Sequence, residues 1–219
     1  MNTVKWSFSS LKDYINCPRQ YQEIKVLKRF HKAPTQQTLY GQEVHRALED
    51  YVKDGTPLAK NYQKYKPQLD PLRDMPGDKY PEHRMALTID KEPCKFGSPD
   101  YWVRGIADLV VVDGDTGFIV DYKTGKSTYP DLKQLQLMAL MAFAHFPQLE
   151  RIKGGLLFVA YEDFFTSEYT RDKIDEYWES FNEPLTRLQF SLDNDTWQEN
   201  PTGLCGWCPV SICQHYKER

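Results

Sequence analysis

The sequence predicts an α/β protein: a mixed central sheet flanked by helices, preceded by a helical N-terminal lobe and closed by a cysteine-rich tail. Three observations carry this reading. Apolar residues recur at helical spacing up to about residue 53, and from residue 82 they alternate as in a strand. The stretch Val103 to Gly125, VRGIADLVVVDGDTGFIVDYKTG, reads as two strands joined by turn chemistry at Asp113-Gly114-Asp115-Thr116-Gly117. A helical pattern and a glycine-bounded strand follow, an order that lets a later strand return beside the central one by a crossover.

At 219 residues, with 40% hydrophobic and 27% charged side chains, the chain can bury one substantial core. We read it as one domain, 1–219. Residues 1–81 form the helical lobe, 82–165 the sheet core, and 166–219 a C-terminal helix and cysteine cluster. No apolar run reaches the roughly 20 residues of a membrane helix. The opening MNTVKWSFSS has no signal-peptide core, so a cytoplasmic protein is expected, with no membrane partner. The formal charge of −3 gives no global basic field, which argues against a sequence-independent DNA coat but not against a local basic groove.

In chain order, Ser9 or Ser10 begins a helix whose stripe is Leu11, Tyr14 and Ile15, and Cys17-Pro18 interrupts it. Lys25, Lys28, Arg29 and Lys32 form the most basic stretch: a solvated face, or a phosphate contact. Residues 36–53 are a helix carrying Leu39, Val44, Leu48, Tyr51 and Val52. His45 borders its apolar face, where a histidine more often packs than ligates. Residues 54–81 hold five prolines and read as a loop-rich connection with a short helix near 61–66. A meander follows from residue 82, then a buried helix over 131–146, a strand over 154–162 and an amphipathic helix over 170–190.

The chemistry gathers on the hairpin. Pairing across a turn near Gly114 sets Asp108 opposite residue 120 or 121, bringing the Asp108 and Asp121 carboxylates close if both face one side. Two such charges raise one pKa unless a cation neutralises them, and hard oxygen ligands suit Mg²⁺ or Mn²⁺. Lys123, two residues beyond Asp121, points to the same face. The bland alternative is an ordinary surface Asp–Lys pair. Tyr101, Trp102 and Tyr129 are aromatics near the hairpin that could stack on bases, with core packing the expected use of at least Trp102.

In this context the sequence resembles the PD-(D/E)xK nuclease superfamily, and within it the RecB-type nuclease domain. SFSSLKDYINCPRQY is similar to the family's opening motif, GQEVHRALE to its histidine helix, RGIADLVVV to its first aspartate strand, VDYKTGK to its D-x-K strand, and QLQLMALMAF to its buried helix. The resemblance implies a restriction-endonuclease-like core. His45, Asp108 and Asp121 would hold the metal, with the Tyr122 carbonyl as a further ligand. Lys123 would be the catalytic lysine, Gln134 would support the site, and Glu82 would be an acid approaching the metal, though it also reads as a surface glutamate. Lys126 would join Lys25, Lys28, Arg29 and Lys32 in contacting DNA.

Five cysteines in such a chain do not make a disulfide framework. Cys205-x-x-Cys208 and Cys213 offer three ligands on short loops, and Cys17 is the candidate fourth. Four thiolates suit a [4Fe–4S] cluster or structural Zn²⁺, and His215 could substitute as a zinc ligand. One N-terminal and three C-terminal cysteines resemble the iron–sulfur arrangement of the AddB nuclease domain and the CRISPR-associated RecB-like exonucleases. The expected function is a metal-dependent DNA exonuclease. It would act on single strands or free ends, beside recombination, replication, repair or CRISPR-adaptation proteins. The alternative is a DNA-binding or assembly subunit that keeps the fold without cutting.

Overall fold

Ser7 sets the first helix. In the computed structural model of the chain, which describes residues 4–126, 128 and 130–217, the Ser7 hydroxyl accepts the Ser10 backbone N–H. Ser10 Oγ in turn accepts the Ser7 backbone N–H, closing a capping box for α1 (Phe8–Asn16). The cap therefore lies earlier than Ser9 or Ser10. Cys17 is extended, and Pro18 opens α2 (Pro18–Tyr21), where its missing N–H costs nothing. A π-helical turn, Gln22–Val26, ends the helical run within the basic stretch. Thr35 caps α3 (Gln36–Asp54), which Gly55 terminates in the left-handed conformation (φ 76°).

The 54–81 connection is packed rather than free. It contains α4 (Lys66–Arg73), and Leu58, Tyr62, Tyr65, Leu69 and Leu72 are buried with Val44, Leu48, Tyr51 and Val52 of α3. Then come β1 (Asp78–Leu87), β2 (Pro93–Cys94), β3 (Val103–Asp113), β4 (Thr116–Lys123), α5 (Lys133–His145), β5 (Arg151–Phe158), β6 (Asp163–Thr170) and α6 (Ile174–Asn194). The strands form one sheet in the order β2-β1-β3-β4-β5-β6, mixed because β4 and β5 alone are parallel. This is the mixed sheet flanked by helices expected of a PD-(D/E)xK core. The strand β6 was not among the expected elements. Pro81 is tolerated within β1 because β2 pairs only with Ala86 and Leu87, leaving the rest of that edge open.

The described residues fall into two compact units. Residues 35–178 hold the whole sheet, and 4–34 with 179–217 form the other. In the smaller unit the two ends of the chain are bound directly. Tyr14 Oη and Ser191 Oγ share a 2.8 Å hydrogen bond, Trp6 packs on Phe181, and Tyr21 stacks on Trp197. Among the described residues no helix is long and apolar enough to cross a membrane.

One irregularity in the larger unit organises everything that follows. β1 and β3 keep a single register throughout, but the pair between Pro81–Leu109 and His83–Ala107 is missing, and there Glu82 adopts φ 46°. Across this point the strands exchange faces. Leu109 and Val111 pack with α3, whereas a side chain on Gly105 would strike Met138 and Met141 of α5. Strict alternation would put residues 105, 109 and 111 on one face. Glu82 and Asp108 therefore act as matched extra residues, one per strand, turning the sheet without shifting its register.

On the α5 side of the turned segment, His83 packs among Tyr80, His145 and Phe146. Its Nε2 is buried with no hydrogen-bond partner among the described residues. Burial lowers the pKa of His83, the charge of His145 adding, and burial likewise lowers that of His145. Below the ordinary histidine value of 6.5 the unfolded chain then binds protons that the folded chain refuses. Stability is full above that value and falls as pH drops through it. His83→Phe should flatten the acid limb of a melting-temperature profile between pH 7 and 5, and an unchanged limb would contradict the account.

Candidate active site

The face exchange at Asp108 brings side chains from three elements together. α3 supplies His45, whose Nδ1 lies 3.4 Å from Asp108 Oδ2. The same Oδ2 accepts the Tyr122 backbone N–H at 2.7 Å, so a carboxylate takes the place of a ladder carbonyl between β3 and β4. Leu109 pairs with Val120, so residues 108 and 121 approach each other as expected. Helix α3 comes close because of Gly41, one turn before His45: a Cβ there would sit 3.2 Å from Thr124 Oγ1.

Asp121 is only 5% exposed. Its Oδ1 accepts Gln134 Nε2 from α5 at 2.5 Å, and Gln134 Oε1 accepts Lys123 Nζ at 2.9 Å. Lys123 Nζ is also 2.6 Å from Asp121 Oδ2, as an ion pair without hydrogen-bond alignment. Burial lifts the Asp121 carboxyl to about 6, Asp108 adding and Lys123 and His45 opposing. For His45, burial pulls the pKa down, but contact with Asp108 and the charge of Asp121 outweigh it and the net shift is upward.

Each expected residue thus has a place. His45 meets Asp108, while Asp121, Lys123 and Gln134 contact one another, and the Tyr122 backbone N–H beside Asp121 connects the two sets. Glu82 is exposed, is opposite Asp108 in register, and lines a cavity of about 640 Å³ with His45 and Arg46. The sequence reading missed Glu49, which lines the same cavity one helical turn after His45. Burial and then the charge of Glu82 raise its pKa. Its signal was the i+4 spacing within HRALE, which puts both side chains on one helix face.

Among the described residues, no three of His, Cys, Asp and Glu are gathered closely enough to hold a metal ion directly. The donor set nonetheless has the right chemistry for Mg²⁺ or Mn²⁺. It offers two carboxylates, an imidazole and a buried carboxylate oxygen, Asp121 Oδ2, that has no aligned hydrogen bond among the described residues and faces the Lys123 ammonium at 2.6 Å.

Other expectations fall elsewhere. In the smaller unit Lys25 and Lys32 face Asp13 at 3.8 and 2.7 Å, and Arg29 makes a two-pronged contact with Glu23. Lys28 and Lys126 are exposed. Trp102 packs on Trp178, and Tyr101 lies under Arg104. Tyr129 lies outside the described residues.

Cys17, Cys205, Cys208 and Cys213 all line one cavity of about 580 Å³ in the smaller unit, as does His215. None is in a disulfide. Two sulfurs receive N–H donors: Gln20 Nε2 to Cys208 Sγ at 3.1 Å and Thr202 N to Cys205 Sγ at 3.3 Å. Cys94, the fifth cysteine, is on β2 in the other unit.

A mixed sheet with Asp-x-Lys on one strand, a second aspartate on the antiparallel neighbour and a glutamine behind them defines a nuclease fold. A family model described as the PD-(D/E)XK nuclease superfamily matches residues 5–214. The chain belongs to that superfamily. A search of curated proteins found no match. Among solved structures, a "putative exonuclease" from Eubacterium rectale is similar at 15% identity and a TM-score of 0.54, covering 100% of this chain and 92% of the other. SSO0001 is similar at 13% identity and a TM-score of 0.51, covering 100% and 90%. At these identities the likeness is one of fold.

The Tyr122 hydroxyl is buried with no hydrogen-bond partner among the described residues, and burial pushes its pKa far up. Tyr122→Phe removes an unsatisfied group while keeping the backbone at the site. It should stabilise the protein by about 1 kcal/mol, read as unfolding free energy in denaturant. A loss of similar size would show that the hydroxyl has a partner.

Proposed function

We propose that this chain is a metal-dependent DNA nuclease, an exonuclease that hydrolyses phosphodiesters in single strands or at free ends. The observation that carries the reading is the buried Asp121 carboxylate, in contact with Lys123 and Gln134 and within electrostatic reach of Asp108 and His45. So many charges are costly to hold together unless they serve a charged ligand. His45, Asp108, Asp121 and the Tyr122 carbonyl would hold Mg²⁺ or Mn²⁺. A cation there supplies charge for the scissile phosphate and acidifies water. Gln134 bridges Asp121 and Lys123, so it orients both at once. The Lys123 ammonium, half-exposed at the site, is poised to stabilise negative charge on phosphoryl oxygen or to move a proton to or from the attacking water. Lys25, Lys28, Arg29, Lys32 and Lys126 remain proposed DNA contacts. The settings that fit are recombination, replication, repair or CRISPR adaptation in a bacterial or phage-infected cytoplasm.

Asp121→Asn keeps the size of the group and the reach to Gln134 but removes the charge. In Mg²⁺ or Mn²⁺ it should lose at least about 100-fold in cleavage of end-labelled DNA. Equal cleavage by wild type and variant would overturn the catalytic assignment of Asp121, and no cleavage by wild type would leave the fold as a non-catalytic DNA-binding or assembly subunit.

We further propose that Cys17, Cys205, Cys208 and Cys213 bind a [4Fe–4S] cluster, because all four line one cavity and two of the sulfurs, those of Cys205 and Cys208, receive N–H donors. Anaerobically purified protein should be coloured and contain iron and sulfide, and Cys208→Ser should lose both. A colourless protein with stoichiometric zinc would support the Zn²⁺ alternative, with His215 in the same cavity.

A further inference from the structure

Beyond the face exchange, the side of the sheet that α3 covers higher up continues as an open row of cations and apolar groups. Gly105 and His83 face α5 there, so their neighbours Arg84, Arg104 and Ile106 face the other way. Arg84 pairs with Ile106 across the ladder, and Ala86 pairs with Arg104. Ile106 is two residues from Asp108 and Arg84 two from Glu82, so the row starts at the candidate active site. It ends at two rings. Arg84 Cζ lies 5.7 Å from the Phe96 centroid and Arg104 Cζ 5.1 Å from it, while Arg104 is also 4.6 Å from the Tyr101 centroid.

Neither guanidinium has a carboxylate partner among the described residues. On a chain with a net charge of −3, two such groups side by side stand out. The rings hold them in place, so little freedom is lost when an anion binds. Ile106, 37% exposed, sets an apolar group in the same row. Duplex DNA presents phosphates outward and hides its bases in the stack. An unpaired strand presents both phosphates and base faces, and so matches a row that offers both kinds of group.

We propose that this row is the track along which the single-stranded segment of the substrate reaches the active site, with Arg84 and Arg104 each taking a phosphate and Ile106 meeting an unpaired base. The proposal rests on the nuclease reading above and names its substrate form and path.

The test measures two quantities on Arg84→Gln/Arg104→Gln. The first is fluorescence-anisotropy binding of a labelled single strand and of its blunt duplex, without added divalent cation, across a salt series. The second is steady-state cleavage in Mn²⁺. Lys153→Gln serves as the charge control, since it removes a cation paired with Glu168 on the β5–β6 edge. The double variant should bind the single strand at least about tenfold more weakly. Its slope of log affinity against log salt should fall by about 1.4, two phosphate contacts at about 0.7 each. KM should rise more than kcat falls, and Lys153→Gln should match wild type in binding. If the double variant melts early, the exposed Arg84→Gln alone is read, with a slope change of about 0.7. Unchanged affinity and slope overturn the track, as does an equal loss for the duplex. Wild type that cuts normally beside an unaltered variant overturns the track alone. Wild type that binds with the expected slope change but cuts nothing overturns the nuclease reading and supports the track.

Discussion

A carboxylate buried at the end of a central strand is the constraint on which this structure turns. An unpaired charge in that position would cost several kcal/mol. Asp121 avoids the cost through neighbours from different parts of the chain: Gln134 from α5, and Lys123 two residues on. Asp108 is brought alongside on β3, where its own carboxylate is held by the Tyr122 N–H and His45. Packing serves the same end. α5 is buried over a wide arc from Leu135 to Phe143, which fixes Gln134 at its start. The connection after α3 wraps that helix with buried tyrosines and leucines and so holds His45 in place.

The face exchange at Glu82 and Asp108 follows from the same constraint. A regular ladder would place Asp108 on the α5 side with Val110. The irregular step frees its side chain to reach both His45 and the β4 backbone. Glu82 takes the left-handed conformation opposite it, a strain of the kind that persists where the surroundings enforce it. Past the step, residues that would have met α5 meet solvent instead, which is why Arg84, Arg104 and Ile106 form an open row beginning at the site.

Much of this was legible in the sequence, and the exceptions have physical causes. The helices of 36–53 and 131–146, the hairpin and the parallel return of β5 follow from periodicity and turn chemistry. His45 reads alone as a packing residue, and only the order of motifs marks it as a candidate ligand. β6, DFFTSEYT, was missed because its exposed edge carries alternating polar groups and little apolar signal. The face exchange was invisible because each strand carries one extra residue and the register never slips. The basic stretch looked like a free charge run, yet Asp13 and Glu23 from nearby turns engage three of its four cations. Cysteines 17 and 205–213 are remote in sequence, and it took the packing of the chain ends to put them around one cavity.

The central claim is that the charges around Asp121 exist to hold a divalent cation, and the most direct measurement is anomalous X-ray scattering from crystals soaked in Mn²⁺. The account predicts a manganese peak in contact with Asp108, Asp121 and His45, absent from Asp121→Asn crystals. A fully ordered site with Lys123 still paired to Asp121 and no peak at millimolar Mn²⁺ would contradict it.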